Sequence, residues 1–192
     1  MVASRRSILF LTYSEHGQAN VHLATAWELL KRDDYDLHLA SYAVLKPRIE
    51  ELNKEFAIQN AQGANVKTPE VAFHEFRGIP MMDYAKLNNI PFPHSPSYNN
   101  VVSTFSTCAR LMVREDPEEY IKGFDDMIQL VKDLDPVVIV VDRNCYMAMD
   151  ACLASGVEYV QMSPCSFYEA CAEMQPHGKA LWKYPAYVLL AS

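Results

Sequence analysis

Two stretches decide the fold: ILFLTYSEHGQANVHLATAWELL, residues 8–30, and PVVIVVDRNCYMAMDACLASGVEYVQM, residues 136–162. In each, a short run of aliphatic residues ends abruptly in polar ones and a helical pattern follows. Ile8–Tyr13 has the continuous apolar character of a parallel strand buried on both faces. A helix is expected over Asn20–Arg32, with Asn20 as its N-cap. His22, Thr25, Glu28 and Arg32 form its polar stripe, and Val21, Leu23, Ala24, Trp27, Leu29 and Leu30 cover the rest. A helix so widely apolar packs against a sheet, and on this pattern His22 is expected to face solvent. The segment PVVIVVD is the cleanest strand in the chain, with a helix expected over Asn144–Ala154 and a last strand over Val157–Met162.

Between these blocks the alternation continues. Tyr35–Ser41 reads as a second strand, Pro47–Phe56 as a helix entered through a proline in its first turn, and Val71–Phe76 as a third strand. Residues 78–100 change character, with prolines at 80, 91, 93 and 96 among asparagines and aromatics. They are expected to form a long loop or a poorly regular insert, a kind of segment that often carries function. Helices resume at Val101–Val113 and at Pro117–Leu134, the latter with an acidic first turn suited to the helix dipole. The alternation predicts an α/β fold, a Rossmann-like doubly wound parallel sheet, and one domain over residues 1–192.

Composition narrows the function. The chain has 192 residues, half of them hydrophobic, and a chain of this size buries roughly 70% of its unfolded surface. Seventeen Lys and Arg against 24 Asp and Glu give a net charge of −7, which excludes an extended nucleic-acid surface. There are six glycines, and the nearest two, Gly63 and Gly78, are 15 residues apart. That spacing excludes the dinucleotide fingerprint, the Walker A loop and the nucleophile elbow, all of which need closely spaced glycines. Five cysteines without a C-x-x-C pair read as reduced thiols rather than a disulfide framework or zinc site. The short apolar run near the N-terminus is not a secretory signal, and no segment approaches the roughly 20 apolar residues of a membrane span. A cytoplasmic location is expected.

In parallel sheets, function gathers at the carboxyl ends of the strands. His16, Gln18, Asn20, Asp142, Asn144 and Ser163 fall there. Asp142 stands out because a charge ends five aliphatic residues. Two readings are open: Asp142 or Asn144 caps the next helix, or the carboxylate points into a cleft to orient a base or bind a hydroxyl. His16 and His22 are six apart, not the three or four that a helical metal pair prefers, so no metal is expected. Cys145 and Cys165 lie near the same mouth without an evident activating partner. Tyr13, Tyr84, Phe92, Tyr98, Phe167 and Tyr168 are candidates for an apolar pocket.

The first block resembles the opening strand, loop and helix of the UDP-glycosyltransferases of the two-domain GT-B type (glycosyltransferase family 1), particularly their fungal branch. The second is similar to the later strand–helix–strand of the same N-terminal domain. The resemblance implies that this chain is the acceptor-binding half, with Asn20, Tyr84, Phe92 and Asn144 touching the acceptor. The UDP-sugar donor would be held by a C-terminal domain absent from these residues, and no cofactor is expected in this half. A histidine after the first-loop glycine would act as general base, oriented by the aspartate at the later strand's end. Asp142 matches that aspartate, but the histidine position falls on Gln18, which cannot accept a proton near neutral pH. Three possibilities follow: His16 substitutes as base, Asp142 acts directly, or this member does not transfer sugar. The expected partner is a small lipophilic alcohol, with a donor domain in cis. The alternatives are a non-catalytic subunit pairing with a donor chain in trans, and a flavodoxin-like cofactor binder.

Overall fold

The computed structural model describes residues 5–60, 68–90 and 117–164. They form a five-stranded sheet in the order β3-β2-β1-β4-β5, built from β1 (Arg6–Leu11), β2 (Tyr35–Ser41), β3 (Val71–Glu75), β4 (Val138–Asp142) and β5 (Val160–Met162). Every described pairing is parallel, and Phe10 of β1 lies opposite both Leu39 of β2 and Val140 of β4. Helices α1 (His16–Leu30), α2 (Lys46–Gln59), α3 (Met81–Leu87), α4 (Pro117–Leu134) and α5 (Tyr146–Ser155) complete the described structure.

The alternation of side chains along β1 explains why the sheet is covered on both sides. Ile8 and Phe10 pack with Leu23 and Leu30 of α1 and Ile49 of α2. Leu9 and Leu11 point the other way, into a cluster with Met127 of α4 and Met147 and Ala148 of α5. Leu9, Phe10 and Leu11 are all fully buried. On the α4–α5 side the helices meet closely. A Cβ placed at Gly123 would come within 2.7 Å of Met147 Cε and 3.1 Å of the Arg77 carbonyl. Helix α5 stops at Gly156, whose φ of +67° is the left-handed conformation that glycine adopts at no steric cost. The turn is closed by Val157 N–H donating to Cys152 O at 3.1 Å.

Several boundaries differ from the sequence reading. Helix α1 starts at His16, four residues earlier than expected, so Asn20 lies within it and Glu15 holds the N-cap position. The link from β1 to α1 is thereby cut to residues 12–15. Residues 78–100 are not uniformly irregular, because Met81–Leu87 is helical after Pro80. Helix α5 begins at Tyr146 rather than Asn144, and β5 is confined to Val160–Met162. The expected helix at 101–113 lies outside the described residues, as do Phe92, Tyr98, Cys165, Phe167 and Tyr168.

Candidate functional site

The strand order reverses direction between β1 and β4, since the chain runs outward through β2 and β3 and then crosses back. Such a switch point leaves a crevice at the strands' carboxyl ends, where ligands bind in open α/β sheets. Thr12 follows β1 and Asp142 closes β4, and the two meet across the seam. Thr12 Oγ1 lies 3.3 Å from Asp142 Oδ2 and 3.1 Å from the Tyr13 carbonyl, so one hydroxyl proton serves two acceptors.

Asp142 is fully buried. Its Oδ1 accepts the Asn144 N–H at 3.0 Å, the local turn that aspartate makes with the residue two ahead. Burial pushes its pKa above the usual carboxylate range. The Asn144 N–H, the His22 imidazole, the Tyr13 N–H and the Thr12 hydroxyl oppose that shift, in decreasing order. The capping reading of Asp142 and Asn144 does not hold. Cys145, itself buried, is the N-cap of α5 and makes no side-chain capping bond. The carboxylate is fully buried in the seam. It fastens the end of β4 to the loop after β1.

The imidazole that reaches this carboxylate electrostatically is His22, which the sequence reading placed in solvent. His22 is fully buried, one turn after Gln18, with its ring edge-on to Phe10 at 6.1 Å. Its Nδ1 is 3.2 Å from the Gln18 carbonyl, an oxygen that only accepts. The proton of the neutral ring therefore sits on Nδ1, and Nε2 keeps a bare lone pair with no hydrogen-bond partner. Burial lowers the pKa of His22, partly offset by the Gln18 carbonyl and by Asp142. The signal was present in the spacing: Ala19, His22, Leu23, Ala26 and Leu30 are the buried residues of α1 and recur at three- and four-residue steps. Counting His22 into an equally regular polar stripe hid it.

The other candidates divide. Gln18 is half-buried in the first turn of α1, and its Oε1 is enclosed without a partner. His16 opens the helix and is exposed. Asn20 is turned to α2, where its Oδ1 accepts a 2.7 Å bond from Arg48 Nη2. Asn144 contributes its backbone N–H to Asp142. Tyr84 is half-buried on α3, and its carbonyl accepts from the Asn88 side chain. The structure thus joins Gln18, His22, Thr12, Asp142 and Asn144, and no described contact links Tyr84 or Asn20 to them. No group of three potential metal ligands occurs among the described residues, and no described helix is long and apolar enough to cross a membrane.

No protein-family model matches the chain. It is 31% identical over 192 residues to the glycosyltransferase sdnJ of Sordaria araneosa, an alignment that takes in 97% of this chain. The chain spans 37% of that relative's length. Its fold superposes on the glycosyltransferase VinC, solved in complex with dTDP, with a TM-score of 0.56 at 16% identity, over 91% of this chain and 38% of that one. CalG4, the calicheamicin glycosyltransferase, gives 0.55 at 12% identity, over 95% and 37%. At such identities the two structures speak to fold alone. The chain is thus similar in sequence to part of a glycosyltransferase, and its Rossmann-like parallel α/β fold is similar to that of part of the solved GT-B glycosyltransferases.

Proposed function

We propose that these residues are the acceptor-binding half of a UDP-glycosyltransferase, which passes a hexose from a UDP-sugar to a hydroxyl of a small lipophilic acceptor. The observation that carries the reading is the polar seam at the switch point: a buried carboxylate, Asp142, in electrostatic reach of His22, whose ring is bonded to the backbone of Gln18, a residue with an enclosed and unpartnered side-chain oxygen. An acceptor hydroxyl donating to Gln18 Oε1 would supply the bond that this oxygen lacks. Glutamine orients the hydroxyl but leaves its proton in place. The proton must pass to a basic group as the oxygen attacks the anomeric carbon and UDP departs with inversion. Asp142, held above the ordinary carboxylate range by burial, is the stronger base in this seam than a solvated carboxylate would be. His16, exposed at the start of the same helix, is the other candidate, and the donor would be held by a separate domain. The relative's coverage of 37% supports that division.

The test uses these residues together with a donor domain, assayed for UDP release with a panel of lipophilic alcohols. Asp142→Asn keeps one oxygen for the Asn144 N–H and turns its amide nitrogen to the Thr12 hydroxyl, which can accept, so the fold is expected to persist while kcat falls about 10²-fold or more. An unchanged kcat would assign Asp142 a structural role only. His16→Ala, made in parallel, decides whether the base lies on the exposed turn. Absence of UDP release with every alcohol and UDP-sugar tried would count against the transferase reading as a whole.

A further inference from the structure

A second cluster of imidazoles lies away from the seam, at the edge of the sheet. His38 of β2 is opposite Ala72 of β3, and His74 is opposite Ala40. The two histidines are therefore diagonal neighbours on one face of a parallel pair. His38 Nδ1 and His74 Nε2 are 2.9 Å apart, with ring centroids 5.1 Å apart and planes inclined by 35°. Both rings are half-buried. His74 lines a cavity of about 390 Å³ between β3 and α4, and His38 lines another of about 510 Å³ near the start of the two strands.

We propose that His38 and His74 form a proton-operated latch on the β2–β3 edge, closed while the pair carries at most one extra proton and released by the second. The proton count follows from imidazole chemistry. In the neutral pair one ring donates its N–H and the other accepts on a lone pair. One added proton keeps the bond, because an imidazolium can donate to its neutral neighbour. A second leaves two N–H groups facing each other with no acceptor between them, and two like charges in contact. The bond must then break, and β3, an edge strand, loses a side-chain tie to β2.

Charged groups flank the pair on both sides. Asp36 of β2, Glu70 before β3 and Arg5 surround the His38 side, and Glu75 of β3 with Asp126 and Asp133 of α4 surround the His74 side. Asp126 is bound to Arg77 at 2.7 Å. Burial disfavours the charged form of both rings. Asp36 partly offsets this at His38, and His38 adds to it at His74. Folded-state values below the unfolded one mean that the latch contributes fully above the unfolded pKa of about 6.5 and is lost as pH falls beneath it.

The experiment is amide hydrogen exchange of the 192-residue chain from about pH 7.5 to about pH 5, with NMR titration of its histidines alongside. After correction for intrinsic rates, β3 amides are expected to open about tenfold more relative to β4 at the acid end, the equivalent of one pKa unit of repulsion. In His74→Gln that selective opening should vanish, and His38 should titrate at higher pH than in the wild type. Exchange of β3 and β4 that changes in parallel at every pH would overturn the proposal. So would independent titration of the two rings. The wild-type titration alone decides the matter if the variant does not fold, because a proton-sharing pair titrates in two coupled steps.

Discussion

His22 is a neutral imidazole placed where an aliphatic side chain would pack as well, against Phe10 and fully out of water. Its bare Nε2 costs the fold the hydration of a polar atom without a bond in return. His22→Leu is therefore expected to raise stability to urea near neutral pH, by about 1 kcal/mol. Because burial lowers the folded-state pKa of His22, the wild type must lose stability as pH falls below about 6.5, where the unfolded chain binds the proton more readily. His22→Leu should flatten that part of the pH–stability curve, an outcome read from urea midpoints across the range. A variant that is more stable yet poorer at binding an acceptor would show that the histidine is kept for the Asp142–Gln18 seam. Asp142 works in the opposite sense: its raised pKa makes the folded state bind a proton more readily than the unfolded chain.

At the scale of elements, the short link between β1 and α1 is what brings these residues together. Four residues, Thr12 to Glu15, carry the chain from the strand to the helix, so Thr12 meets Asp142 at the end of β4 and His22, in the second turn of α1, comes within electrostatic reach of it. The same economy governs the far end of α5, where Gly156 turns the chain toward β5 at φ +67°. Gly156→Ala meets no atom within 4 Å, so its cost is conformational, and thermal or urea unfolding should register a loss of about 1 kcal/mol. Element type was legible for β1, β2, β3, β4 and α4, because aliphatic runs and an acidic first turn are local signals. The start of α1 was not. Asn20 looks like a cap by composition, yet the helix continues through it, and the Asn20 side chain instead meets Arg48 of α2, 28 residues away.

At the scale of the whole molecule, the sheet order 3-2-1-4-5 of the described residues sets the candidate site at one switch point, and the proposed reaction calls for a donor site elsewhere. A chain spanning 37% of its relative's length is expected to release no UDP from UDP-sugars alone. A protein that joins these residues to a donor domain is expected to do so when a lipophilic alcohol is supplied. Coupled UDP detection on the two proteins checks this, and release by the 192 residues alone would overturn the two-half reading. The loop after β1 also weighs against a flavodoxin-like binder. It is four residues long and carries Glu15, and the strand order differs from the 2-1-3-4-5 of that fold.

By itself the sequence determined the α/β class, the parallel sheet and the position of Asp142, because each depends on hydrophobic runs and punctuation a few residues long. It also raised the expectation that Gln18 stands where the resembling family carries its histidine. Only the tertiary structure decided which side chains share the seam. It turned His22 inward, sent Asn20 to α2, sealed Asp142 against Thr12 and set His38 against His74. Those outcomes hang on strand order and helix phase, which arise from contacts between residues far apart in the chain. A period of 3.6 leaves a boundary residue such as His22 free to fall on either face until the sheet beneath it is in place.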